Sequence, residues 1–298
     1  MSTPLVSISC ITYNHENYIR ECLEGFLMQE TDFDYEILIH DDASTDDTAN
    51  IIKAYQEKFP DLIEPIFQKE NQYSKGQRAI NVKFNFPRAQ GKYIAMCEGD
   101  DYWTDPFKLQ KQVDFLEENK DFSLTCGGFI EKKGSNTLDV IASNGEKQNE
   151  GFSFSLEQNN KIWITKTLTL LFRKKSIEEL PVILPKFRYF RDTHLVYLLL
   201  KNSKGYYFKN VFGVYNVHPG GVNSMKDLDH KYKTAFKIRE ELYNYSPDIH
   251  NCNLYIRKAM RLALWSFKSR QKIDLKMLLR IPLVAMQYLK LKILKKMP

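Results

Sequence analysis

Short β-branched runs alternate with helically spaced apolar residues over the first hundred positions. This alternation is the mark of βαβ units and a largely parallel sheet. Val6 to Ile11 reads as a first strand, and Ile19, Cys22, Leu23, Phe26 and Leu27 then recur at helical spacing up to Met28. Glu36 to His40 makes a second strand, and Ser44 with Asp47 three residues on predicts a capped helix start. Ile63 to Phe67 is a third strand, Ser74 to Ala89 reads as helical, and Tyr93 to Cys97 is a fourth strand. A helix from Lys108 to about Asn119 leads to a strand at Ser123 to Gly127. The pattern then weakens through a polar, Asn-rich excursion from Lys132 to Asn160. Ile162 to Arg173 reads as strand, Thr193 to Leu200 as a helix opened by Asp192, and Gly205 to Lys209 and Gly213 to Val217 as two strands before the Gly220-Gly221 turn. Beyond that turn the chain reads as helical to its end.

Acids follow two of these strands. Asp41 and Asp42 end the second, and Glu98-Gly99-Asp100-Asp101 ends the fourth. Ligands of open α/β sheets bind at the carboxyl ends of strands, so Asp41, Asp42, Asp100 and Asp101 are predicted to face one crevice. Clustered carboxylates repel unless cations or hydrogen-bond donors gather among them, and Mg²⁺ or Mn²⁺ is bound in this way by one or two carboxylates plus substrate phosphates. A solvated acidic turn is the plainer alternative for the segment, and helix capping the plainer role for Ser44 and Asp47. Asp41 to Asp46 is no calcium loop, since that loop's glycine and terminal glutamate are missing.

At 298 residues and 43% hydrophobic by composition, the chain can bury one large core with an appendage. Its five cysteines form no CxxC pair and read as reduced core residues. No leader-like segment occupies Met1 to Val6, and no uncharged stretch approaches the ~20 residues that span a bilayer. The expectation is a cytoplasmic chain. The formal net charge of +6 sits at the end: Lys268 to Pro298 holds nine Lys or Arg and one Asp, which leaves 34 basic and 36 acidic residues elsewhere. Between Ile273 and Leu294 apolar clusters alternate with Lys276, Arg280, Lys290 and Lys292, with Lys295 and Lys296 just beyond. A cationic amphipathic helix follows, bent at Pro282, which either lies on an anionic membrane or packs on the body. No nucleic-acid module accompanies the basic tail.

Several of these segments, taken in order, resemble family 2 glycosyltransferases of the GT-A fold. Val6-Ser7-Ile8 leading to Thr12-Tyr13-Asn14 is similar to the family's first strand and nucleotide-contacting turn, and Glu36 to Thr48 to its second strand with the DDxSxDxT signature. Glu98-Gly99-Asp100-Asp101-Tyr102-Trp103 resembles its metal-binding segment, continued by Asp105-Pro106 and Lys108-Leu109-Gln110. Phe190-Arg191-Asp192 and Val214 to Val222 resemble later pieces, where an acid before a helix is the catalytic base. The resemblance implies a Rossmann-like GT-A domain over residues 1–225, with a helical, basic region over 226–298. It places Thr12, Tyr13, Asn14, Asp42 and Asp100 on the nucleotide sugar, a divalent cation (Mn²⁺ or Mg²⁺) on Asp101 with His218 as a further ligand, and the general base at Asp192.

The implied reaction is an inverting transfer from a nucleoside diphosphate sugar, with UDP the expected nucleotide, to a hydroxyl of a glycan or lipid-linked acceptor in surface-polysaccharide assembly. His194 orients that base or caps its helix. A core tyrosine is the plain reading of Tyr13 and a structural imidazole that of His218. A dehydrogenase or nucleotidyltransferase needs a glycine-rich first turn, and Thr12 to Glu16 holds no glycine. A non-catalytic nucleotide-sugar binder on the same fold remains as the alternative.

Overall fold

The computed structural model describes residues 3–142, 150–221, 227–271 and 273–294. In chain order the strands and helices are β1 (Val6–Thr12), α1 (Ile19–Leu27), β2 (Tyr35–Asp41), α2 (Thr48–Lys58), β3 (Ile63–Phe67), β4 (Tyr93–Glu98), β5 (Tyr102–Trp103), α3 (Lys108–Glu118), β6 (Phe122–Lys133), β7 (Asn136–Val140) and β8 (Gly151–Phe154). There follow α4 (Leu156–Ile162), β9 (Leu171–Arg173), the short α5 (Leu180–Ile183), α6 (Asp192–Leu200), β10 (Lys204–Asn216), α7 (Leu228–Tyr245), α8 (Ile249–Lys268) and α9 (Leu275–Leu294). The chain divides into two units, Met1–Pro181 with Leu195–His218, and Val182–His194 with Pro219–Pro298.

The first unit holds a ten-stranded sheet in the order β3-β2-β1-β4-β9-β6-β10-β5, with β7 beside β6 and β8 beside β10. Strands β3, β2, β1 and β4 are parallel, as the βαβ pattern predicts, while β9 runs antiparallel between β4 and β6. This is the mixed α/β architecture expected of the chain, a central sheet flanked by helices with further helices at the C-terminal end.

Strand β1 shows how the core is made. Val6, Ile8 and Cys10 are fully buried with Ile19, Leu23 and Phe26 of α1. Ser7 and Ser9 point to the other face, yet they are buried as well. That face is closed by residues 81–91: Ser9 donates to Asn81 Oδ1 at 2.7 Å, and Asn85 Nδ2 donates to the Cys10 and Leu38 carbonyls at 3.0 and 3.1 Å. The 74–89 segment is therefore not the helix its sequence predicts. It holds one π-helical turn, Asn81–Asn85, whose amides hydrogen-bond to the sheet instead of facing water.

Other expectations are corrected in the same physical way. Ser44 does not cap α2, whose N-cap is Asp47; the Ser44 hydroxyl turns back to Asp41 and accepts from the Asn14 N–H at 2.9 Å. The stretch 162–173 ends α4, turns through a 3-10 helix at Thr167–Thr169 and reaches strand only at Leu171. The two strands expected over 205–217 are the single β10, interrupted by register shifts between Phe208 and Val211 and between Val211 and Val214. Within the polar excursion, β7, β8 and α4 form. Its residues 143–149 lie outside the described ones, as do Val222, Lys295 and Lys296.

The second unit has its own apolar core, in which Phe236 of α7, Cys252, Tyr255 and Ala259 of α8, and Met277 and Val284 of α9 are buried together. Among the described residues no helix is long and apolar enough to cross a membrane.

Candidate active site

Parallel register brings the acidic strand ends together. Thr12 pairs with Asp41 across β1 and β2, and Ile11 with Glu98 across β1 and β4, so the residues after β1, β2 and β4 emerge along one edge. Gly99 lets these ends approach: a Cβ there would lie 2.5 Å from Thr12 Oγ1, far inside contact distance. Strand β10 reaches the same edge. Its last residue, Asn216, donates from its backbone N–H to Asp101 Oδ1 at 2.9 Å and from Nδ2 to the Asp100 carbonyl at 2.7 Å.

Two residues later stands His218, whose Nε2 is 3.1 Å from Asp100 Oδ2. His15 Nε2 approaches the same carboxylate oxygen to 3.8 Å. Ligand atoms of His15, Asp100 and His218 all lie within 4.8 Å of one another, as a metal site requires. The three side chains are only partly exposed, at 14%, 18% and 12%. His15 Nδ1 is 3.1 Å from Thr12 Oγ1. When Nδ1 carries the proton and donates it there, Nε2 is left free to ligate, the arrangement usual behind metal-bound histidines. Burial lowers the His15 pKa against the opposing pull of Asp100, a shift toward the neutral imidazole that a metal ligand must be.

Asp101, which the resemblance nominates to hold the cation, is more deeply buried than Asp100. It is 1% exposed, its Oδ1 is taken by the Asn216 N–H, and its buried Oδ2 has no hydrogen-bond partner among the described residues. Burial, then Asp100 and Glu98, push its pKa well above the ordinary range, while the Asn216 N–H and the charge of Lys166 oppose them. The unpartnered oxygen of Asp101 and the Asp100 carboxylate that two imidazoles approach lie on one turn, and crowded acids of this kind are what a cation relieves, so the residues present fit a divalent metal.

The nucleotide-side candidates gather at the same edge. Asn14, held at a positive φ of 54°, accepts from the Thr45 N–H at 2.8 Å through Oδ1. Tyr13 between it and Thr12 is 41% exposed. Asp42 is buried, and its two oxygens accept the N–H groups of Gln72 and Tyr73 at 2.8 and 3.0 Å. A carboxylate has about four acceptor positions, so Asp42 keeps capacity for a ligand donor.

Asp192 belongs to the second unit, exposed at the first position of α6, with Oδ1 accepting the Thr193 N–H at 2.7 Å. The segment before it is clamped by Glu241 of α7, which accepts the N–H groups of Arg188 and Tyr189 at 2.8 and 3.1 Å. Buried His194 accepts the Arg191 N–H at Nδ1 and lies 3.3 Å from Glu241 at Nε2. His194 is thus part of the support beneath Asp192. Burial lowers the Arg239 pKa to about 10 against the opposing charge of Asp192, so the guanidinium stays cationic at neutral pH.

Sequence reading missed His15, Asn216 and Glu241. His15 had a signal, one residue past the Thr12-Tyr13-Asn14 turn, whereas Glu241 is an unremarked acid on an amphipathic helix.

A family model described as Glycosyl transferase family 2 matches residues 7–181. An uncharacterized glycosyltransferase of Nostoc sp. is 30% identical over 222 residues, 74% of this chain and 66% of that protein. The UDP-Glc:alpha-D-GlcNAc-diphosphoundecaprenol beta-1,3-glucosyltransferase of Escherichia coli is 37% identical over 129 residues, 43% of this chain and 47% of that one. An uncharacterized Mycobacterium bovis protein is 48% identical over 118 residues, and the match spans 38% of this chain but only 32% of that relative's length. Among solved structures, S. aureus TarS 1-349 in complex with UDP-GlcNAc superposes with a TM-score of 0.62 at 19% identity, covering 96% of this chain and 79% of that one. Mannosyltransferase PcManGT of Pyrobaculum calidifontis in complex with GDP-Man and Mn²⁺ gives 0.53 at 15% identity, covering 96% and 74%.

Proposed function

Because this chain belongs to glycosyl transferase family 2 and has the GT-A fold, we propose that it transfers a hexosyl or N-acetylhexosaminyl group from a UDP-sugar to a hydroxyl of a glycan or lipid-linked acceptor, with inversion at the anomeric carbon. The observation that carries this reading is the convergence of His15, Asp100 and His218 at the strand edge that also presents Tyr13 and Asp42. UDP as nucleotide is supported by the UDP-GlcNAc held by TarS and the UDP-Glc named for the E. coli relative. A lipid-linked acceptor is supported by that relative's name alone.

In this reading the divalent cation is held by Asp100, His218 and His15, one residue away from the Asp101 that the sequence nominates. Two imidazoles favour Mn²⁺ over Mg²⁺, which prefers an all-oxygen shell. When bound, the cation supplies Lewis-acid neutralisation of the charge that gathers on the departing diphosphate. Asp101 fixes the geometry: through Asn216 it ties the end of β10, and hence His218, to the acidic turn. The exposed ring of Tyr13 stacks on the base, and Asp42, fixed by Gln72 and Tyr73, accepts an N–H from it. Asp192 takes the acceptor hydroxyl's proton as the new C–O bond forms and the anomeric C–O bond to UDP breaks. One displacement with one carboxylate on the attacking side inverts the centre.

A turnover screen of UDP-sugars with Mn²⁺ tests the proposal. The wild type releases UDP from at least one donor, and Asp192→Asn lowers kcat by about a hundredfold or more with UDP affinity unchanged. UDP binding without turnover of any donor would assign the chain to the non-catalytic binders instead.

A further inference from the structure

Helix α9 is apolar on two opposite sides. One side is used: Met277 and Val284 are buried, and Ile281, Tyr288 and Leu291 pack around them in the core of the second unit. On the other side Leu275, Leu279, Leu283, Met286, Leu289 and Ile293 are each more than half exposed. Their spacing of three or four returns every one of them to the face opposite the core. Single exposed leucines are ordinary, whereas six aligned along one helix form a continuous patch that marks an interaction surface. On α8, Met260, Leu264 and Phe267 are exposed as well, Phe267 by 75%.

The charge around this patch is almost all positive. From Ile249 to Pro298 the sequence holds twelve Lys or Arg and a single acid, Asp274, and neither α8 nor α9 contains an acid. Lys276, Lys290 and Lys292 of α9 are exposed, and so are Arg257, Arg261 and Lys268 of α8. A second copy pressing the same face would set these cations against their equivalents. A bilayer surface rich in anionic lipid offers an apolar layer to the leucines and phosphates to the lysines, about 1 kcal/mol for each basic residue near it.

We propose that the outward face of α9 docks the protein on an anionic membrane surface, lying in the interface without crossing it. The proposal is independent of the catalytic reading, and its test requires no turnover. The full chain is sedimented with vesicles of phosphatidylcholine alone or with about 30% phosphatidylglycerol, at about 0.1 M salt. Binding to the anionic vesicles is expected, and much weaker binding to the neutral ones. Leu279→Glu with Met286→Glu alters only exposed positions and is expected to weaken binding about a hundredfold or more. Lys276→Gln with Lys290→Gln removes two exposed charges and is expected to weaken it about tenfold or more. Circular dichroism melts of both variants establish that they fold, and the lysine pair keeps the question answerable if the glutamate pair does not. Wild-type protein left in the supernatant with anionic vesicles overturns the proposal. So does a dimer in light scattering that the glutamate pair dissociates, which would make the face a contact between copies.

Discussion

Several single residues in this protein are held by close approaches that tolerate little change. Gly99→Ala places a methyl group against Thr12 Oγ1 and Cβ, and Thr12 in turn contacts His15. The variant is expected to lose about 1–3 kcal/mol of stability, read as a shift of the urea midpoint, and to weaken metal binding with it. Lys108 is a second such residue. It is fully buried, its Nζ 3.9 Å from the Trp103 ring centroid and 2.7 Å from Gln112 Oε1, and burial lowers its pKa to about 7. The unfolded chain keeps that proton up to about 10.5, so between the two values the unfolded state binds more protons and stability rises with pH. Below about pH 7 both states are protonated and the penalty of the buried charge is fully present. Lys108→Met should flatten the rise, measured as urea midpoints from pH 7 to 10. The sequence placed Lys108 only as part of a family segment, because nothing local says that a lysine at a helix start points inward.

Among the elements, β1, β2 and β4 were legible because buried parallel strands are short β-branched runs that little else imitates. The 74–89 segment was not, since its amides serve the backs of β1 and β2 and that use appears only when the sheet is assembled. For the same reason the strand-end acids could be grouped in advance, while His218 needed β10 and Asn216 to be brought against Asp100. The entrance to α6 depends on another element altogether. Glu241→Ala removes the acceptor of two backbone N–H groups and leaves His194 without its carboxylate. It should cost about 1–3 kcal/mol and reduce kcat more than it changes KM, since the segment carrying Asp192 loses its support. Equal kcat in wild type and variant would separate the clamp from Asp192's role.

At the scale of the whole molecule, composition revealed the basic end and its helices but not which of their faces pack. Helix α9 carries apolar residues on both sides, and only the assembled core of the second unit distinguishes the used side from the exposed one. In the first unit, the proposed function has His15, His218 and Asp100 at the sheet edge hold a cation beneath a nucleoside diphosphate. Calorimetric titration of UDP into wild type, Asp100→Ala and His218→Ala, each with and without Mn²⁺, decides whether they do. The predicted result is tight UDP binding by the wild type only with Mn²⁺, and loss of that gain in both variants. UDP affinity that ignores Mn²⁺, or that survives both substitutions, would contradict it.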